Sequence, residues 1–328
     1  MKTIIITEGG RHIGFGHIAR CISLCQALGE KKIETKFVVN GDKTVESLIK
    51  DRDFYMFDWT KDRRRLSSVI KDADAVVVDS YLSDLDLYEE ISNTVEAPLY
   101  IDDFKRLDYP RGAVLNSALY TEELNYPDKD NITYLLGPEY ALLRKEFWLV
   151  PEKEINNDIR SIMITFGAVD KNRTTPKVLE LLNMRFPRIS KKVIIGKGFN
   201  NIADIDKLKR GDDCFVYDPS ADEMRAAMLA SDMSISAGGQ TLYELARIGI
   251  PTVSITAADN QLLNTAGWHR KGFAECAGRY DDKNLMEKLL EKISIMRDYS
   301  ERLKRNEIGK SLIDGKGAGR VAKWLLKQ

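Results

Sequence analysis

Gly9 to Arg20 reads GGRHIGFGHIAR, and within it Gly14, Gly16 and Ala19 satisfy GxGxxA between a predicted strand and a predicted helix. In a dinucleotide fold the first of these glycines follows the strand directly, and an acid ends the second strand. Here about six residues intervene before Gly14, and the second strand runs into VVNGD, with Asn40 where the acid belongs. NAD and FAD are therefore not the expected ligands, and no GxxxxGK[ST] run is present to cradle a triphosphate. What remains is a glycine-rich loop that delivers His17 to the amino end of the first helix. An imidazole, with a reference pKa near 6.5, is the side chain best suited to accept a proton at neutral pH. Gly14 and Gly16 let the backbone approach a ligand unobstructed, at a helix terminus that favours electron-rich groups. His12 and His269 lack such a setting and read as structural.

In the second half, Met233 to Glu244 reads MSISAGGQTLYE: a strand, then Gly238 and Gly239, then Gln240 and Thr241 opening a helix. The first amides of a helix lack intrahelical partners, and two glycines allow a diphosphate to lie against them. Glu244, one turn in, is placed to accept hydrogen bonds from ribose hydroxyls. Further on, DNQLLNTAG puts Asn260 and Gln261 at the start of another helix, where amides orient a sugar without a metal. The carboxylate pairs Asp72/Asp74 and Asp84/Asp86 fall at element boundaries, where aspartate commonly caps, so neither a metal nor another cofactor is expected. Cys21, Cys25, Cys214 and Cys276 form no CxxC pair, and the first two, four apart in a helical segment, read as small apolar side chains.

The elements that carry these loops alternate. Strands are predicted at Thr3–Thr7, Lys36–Val39, Ala75–Asp79, Leu99–Asp102 and Val114–Asn116, several as continuous β-branched runs suited to burial on both faces and hence to parallel pairing. Between them Ile18, Cys21, Ile22, Cys25 and Leu28 repeat at helical spacing, as do segments near Val45–Ile49, Leu66–Ile70 and Leu85–Ile91. PEKEINND, 151–158, is charged and aperiodic and reads as a linker. A second set of strands follows at Ser161–Phe166, Lys192–Ile195, Phe215–Tyr217, Met233–Ser236 and Thr252–Ile255, and a lysine-rich helical tail begins at Lys283. The expectation is α/β: two Rossmann-like domains, 1–150 and 159–328, facing across a cleft where such sheets bind ligands.

Composition narrows the partners. The 328 residues hold 50 lysines and arginines against 50 aspartates and glutamates, so no net field draws the chain to a nucleic acid polymer. No apolar run approaches the roughly 20 residues of a membrane helix, and MKTIIITEGG reads as a first strand rather than a signal peptide, so a cytoplasmic protein without membrane insertion is expected.

Five segments together resemble one family. IGFGHIAR (13–20), DSY (79–81), GPEYALLRKEF (137–147), FGAVDKN (166–172) and AGGQTLYELARIGIPT with the later ADNQ are similar to the UDP-2,4-diacetamido-2,4,6-trideoxy-β-L-altropyranose hydrolases of pseudaminic acid biosynthesis, within the GT-B nucleotide-sugar superfamily. The resemblance implies a metal-independent enzyme that cleaves a UDP-sugar to UDP and free sugar. By the same resemblance His17 activates water, Tyr81 stands near it, and Asn260 joins them as a catalytic residue. Arg20, Phe166 and Gly167 are carried over with Gly14, Gly16, Gly238, Gly239, Gln240, Thr241, Glu244 and Gln261 as UDP- or substrate-contacting positions. FGAVD departs from the family's usual double glycine, which leaves the sugar open. A GT-B glycosyltransferase using the same UDP site, and a non-catalytic nucleotide-sugar binding protein, are the alternatives.

Overall fold

The computed structural model describes residues 1–10 and 13–328; His12 lies outside the described residues. Two compact units emerge, Met1–Lys145 with Gly315–Gln328, and Glu146–Asp314. In the first, β1 (Lys2–Gly9), α1 (Gly16–Glu30), β2 (Glu34–Gly41), α2 (Glu46–Ile49), β3 (Asp53–Met56), α3 (Arg63–Ile70), β4 (Ala75–Asp79), α4 (Leu85–Thr94), β5 (Ala97–Ile101), β6 (Gly112–Asn116) and β7 (Ile132–Leu136) succeed one another. Every strand pair is parallel and the order is β3-β2-β1-β4-β5-β6-β7. Ile4, Ile5 and Ile6 of β1 and Val76, Val77 and Val78 of β4 are fully buried, because helices cover both faces of these central strands. Strand order reverses between β1 and β4, so the loops after these two strands flank the point where open α/β sheets bind ligands.

The second unit repeats the plan with β8 (Ser161–Thr165), α5 (Thr174–Arg185), β9 (Ser190–Ile195), α6 (Ile202–Asp206), β10 (Cys214–Tyr217), α7 (Ala221–Leu229), β11 (Met233–Ala237), α8 (Thr241–Ile248), β12 (Thr252–Thr256), α9 (Leu262–Arg270), β13 (Ala274–Arg279), α10 (Leu285–Met296) and α11 (Tyr299–Leu312). Its order, β10-β9-β8-β11-β12-β13, is again all parallel and reverses between β8 and β11.

The boundaries differ from the sequence expectation at two places. Segment 151–158 is not a free linker: Lys153 is buried with its Nζ donating to the Leu229 carbonyl, Asn156 donates to Asp232, and Arg302 of α11 donates to the carbonyls of Asn156 and Asn157. The chain joins the second unit earlier, where Arg225 holds the Glu146 carbonyl and Arg247 those of Phe147 and Trp148. The last helix, α12 (Gly317–Leu325), returns to the first unit, burying Ala318, Val321, Ala322 and Leu325 where it packs on α1. An amphipathic pattern says that a face is covered but not by what.

Candidate functional site

At the carboxyl edge of β1 and β4 the glycine loop closes on itself. Gly10 and Gly14 exchange backbone hydrogen bonds, and Gly14 has φ +98°, which a side chain would strain. The chain then enters α1 at Gly16 and brings His17 over the end of β4. His17 Nδ1 lies 2.6 Å from Asp79 Oδ1, and Asp79, the last residue of β4, is completely buried. Arg20, one turn along α1, grips the same carboxylate with both arms of its fork: Nε donates to Oδ2 at 2.5 Å and Nη2 to Oδ1 at 2.6 Å. Its Nη1 donates to Asp103 Oδ1 at 2.7 Å, and the other oxygen of Asp103 accepts the Tyr81 hydroxyl at 2.6 Å. The Tyr81 ring stands edge-on to the imidazole, with centroids 4.6 Å apart. Glu8, buried at the end of β1, accepts from the Tyr81 amide and from the Ser80 hydroxyl, which fixes the turn that carries Tyr81.

The electrostatics follow from these contacts. Burial alone would raise the Asp79 carboxyl and lower the His17 imidazole, since both lose water around their charged forms. Arg20, then His17, outweigh burial at Asp79 and hold it far below the usual carboxylate range. At His17 burial is opposed by the Asp79 charge and hydrogen bond, and with a further contribution from Glu8 the balance lies above the reference value despite Arg20. An ionised carboxylate only accepts, so Nδ1 carries the proton of the neutral ring. Nε2 makes no hydrogen bond among the described residues and is left as the acceptor. This is the arrangement of a general base oriented by a buried carboxylate.

The edge of β8 and β11 is built otherwise. Gly167, with φ +82°, follows β8, and Gly238 and Gly239 follow β11. Gly238 is clamped: its amide donates to Gln261 Oε1, its carbonyl accepts from Asn264, and a Cβ there would stand 2.2 Å from Thr265 Cγ2. The same Gln261 oxygen accepts the Ala257 amide. The Gly239 and Thr241 amides, at the start of α8, make no hydrogen bond among the described residues.

Comparison with known proteins places this architecture. Residues 161–317 match the model of the glycosyltransferase family 28 C-terminal domain. Acinetobacter baumannii MurG superposes with a TM-score of 0.69 at 14% identity over the full length of both chains, and the kitacinnamycin glycotransferase with 0.71 at 12% over 99% of this chain and 98% of that one. The chain has the GT-B fold. Among curated relatives, the Bacillus subtilis spore coat polysaccharide biosynthesis protein SpsG is 23% identical over 98% of this chain and 96% of its own. An uncharacterized protein of Methanocaldococcus jannaschii is 28% identical over 77% of this chain. The Helicobacter pylori pseudaminic acid cytidylyltransferase and UDP-2,4-diacetamido-2,4,6-trideoxy-β-L-altropyranose hydrolase is 21% identical over 79%. The chain spans about half the length of these last two, 55% and 45%.

Within the GT-B fold, the first unit brings His17, Arg20 and Tyr81 together, with Gly14 and Gly16 on the loop that delivers them. Arg20 departs from its expected place on the substrate: three of its N–H groups serve Asp79 and Asp103. In the second unit Gly167, Gly238, Gly239, Gln240, Thr241, Asn260 and Gln261 all lie on the carboxyl edge, and Asn260 is exposed. Phe166 instead turns into the hydrophobic core, 5% exposed, and Glu244 is buried rather than solvated. Gly238 cannot offer its amide to a phosphate, because Gln261 takes it. Asp84 caps α4 and pairs with Arg63, a boundary role. The thiol of Cys21 is buried against Asp79, and burial raises it well above the ordinary cysteine value. Sequence reasoning missed Glu8 and Asp103 as site residues and reached Asp79 only through the DSY segment. Their signal was present: Asp79 ends the AVVVD run, and Asp103 stands just after the strand containing LYI.

Proposed function

We propose that this protein hydrolyses a UDP-linked amino sugar to UDP and the free sugar without a metal ion, in the biosynthesis of a nonulosonic acid such as pseudaminic acid. The observation that carries the reading is His17 with Nδ1 on Asp79 and Nε2 without a hydrogen bond among the described residues. In this reading the second unit holds the nucleotide, with the diphosphate against the amides of Gly239 and Thr241 and half a helix charge behind them. UDP is a good leaving group, so its developing charge needs stabilising more than it needs a proton. His17 Nε2 takes the proton from water as the anomeric carbon gains oxocarbenium character, and Asp79 steadies the imidazolium that forms. Attack opposite the diphosphate inverts the anomeric centre. The relatives support the choice of chemistry: SpsG is named for polysaccharide biosynthesis, and the Helicobacter protein carries a UDP-sugar hydrolase in its name.

The same base would activate a sugar or lipid hydroxyl in a glycosyltransferase, and the family 28 match and the likeness to MurG favour that second reading. Incubation with a panel of UDP-amino sugars, with no acceptor added, separates the two. The hydrolase reading expects stoichiometric UDP and free sugar, undiminished by EDTA. Release of UDP only when an acceptor is supplied would establish the transferase, and loss of turnover on chelation, restored by manganese, would overturn the metal-free mechanism.

A further inference from the structure

The network behind His17 does not end at Asp79. Asp103, just beyond the carboxyl end of β5, reaches two groups that touch the imidazole from different sides. Its Oδ1 accepts Arg20 Nη1, and Arg20 in turn forks onto both oxygens of Asp79 while its Nη2 lies 3.3 Å from His17 Nδ1. Its Oδ2 accepts the hydroxyl of Tyr81, whose ring stands at 87° to the imidazole plane. Asp103 is itself fixed, since the Tyr120 hydroxyl donates to its carbonyl. A planar fork holds a carboxylate plane only if its own plane is held, and here the third N–H is anchored on Asp103. A tyrosine that is 39% exposed would swing freely without its hydroxyl partner.

We propose that Asp103 is a positioning residue, which acts through Arg20 and Tyr81 to hold the His17 imidazole with Nδ1 on Asp79 and Nε2 presented. The proposal rests on His17 being the base of the reaction, and it adds a charge argument. Among the described residues, the groups facing His17 are Asp79 from β4, Glu8 from β1, Arg20 from α1 and Tyr81 from the loop after β4, with Asp103 from the loop after β5 behind Arg20 and Tyr81. Arg20 disfavours the imidazolium, and Asp103 compensates part of that charge. Removing Asp103 therefore lowers the basicity of His17 as well as loosening it.

The test is Asp103→Asn, which keeps the volume and deletes one acceptor and the charge. In the ligand-free protein, nitrogen NMR of His17 should show the native ring held in the Nδ1–H tautomer. In Asp103→Asn it should show a tautomer mixture and a lower pKa. With UDP-sugar, kcat should fall about 10- to 100-fold while UDP affinity changes less than about three-fold, and Asp103→Glu should restore the pKa. An unaltered tautomer and pKa overturn the proposal, whether or not kcat changes, because a loss of rate alone would be a structural effect. The expected NMR change in a native protein that turns over no UDP-sugar would uphold the positioning role and overturn the hydrolase reading instead. Should Asp103→Asn not fold, Tyr81→Phe removes only the hydroxyl bond. A few-fold drop in kcat with a shift in the His17 signals supports the proposal, and no change in either overturns it.

Discussion

The edge of β1 and β4 and the edge of β8 and β11 occupy equivalent places in two sheets of the same doubly wound order, yet their chemistry is opposite. The first gathers Asp79, Asp103, Arg20 and His17, all charged or titratable and linked by hydrogen bonds, with Glu8 beside them on the Tyr81 amide and Ser80 hydroxyl. The second presents glycines, amides and hydroxyls, and its acids Asp170 and Glu244 are buried, Asp170 on the first amides of α5. A fold gives the place where loops converge, and the residues on those loops decide what the place does. Charges that polarise one another suit proton transfer, whereas backbone donors at a helix start suit a bound diphosphate.

Several substitutions would break or sharpen this contrast. The largest effect is expected from His17→Ala, which should lower kcat by about 10² to 10⁴ while UDP affinity, read by calorimetry, stays within a few-fold. Parallel losses in both would collapse the distinction between the two edges. Asp79→Asn should follow, with kcat down by about 10² or more, because the neutral side chain no longer fixes the Nδ1–H tautomer. On the other edge, Gly238→Ala drives a methyl against Thr265 and Gln261. It should weaken UDP binding about 10- to 100-fold at nearly native kcat under saturation, with roughly 1–3 kcal/mol lost in chemical denaturation. An unchanged dissociation constant would remove the nucleotide from that loop. The smallest effect belongs to Gln261→Ala, which leaves the Gly238 and Ala257 amides without their acceptor. A loss of about 1–3 kcal/mol in the same denaturation experiment, with only a few-fold change in UDP affinity, is expected.

Much of the fold was legible because the central strands are buried on both faces and must read as unbroken apolar runs, as TIIIT and AVVVD do. The strands that escaped notice are at sheet edges: β3 (DFYM), β7 (ITYLL) and β13 (AECAGR) each have one neighbour, and mixed polar or small residues suffice there. His17 stood out because an imidazole that a glycine loop delivers to a helix start is the side chain best suited to take a proton at neutral pH. The network of acids that tunes it did not, because Glu8, Asp79 and Asp103 are distant in sequence and become a site only through the adjacency of β1, β4 and β5. Arg20 was visible within IGFGHIAR, but pattern alone could not separate a guanidinium that meets substrate from one committed to two carboxylates.

That the charged edge performs the proton transfer is tested most directly by the pH dependence of kcat/KM for UDP release in the native protein and in Asp79→Asn. Only the neutral imidazole accepts a proton, so activity rises with pH through the His17 ionisation. Asp79 favours the imidazolium, and the native acid limb should therefore inflect above the reference value of about 6.5. Without that carboxylate, burial and the Arg20 charge outweigh the smaller pull of Glu8, and the limb should move below that value. The same inflection in both proteins, or one that persists in His17→Ala, would show that a different group takes the proton from water.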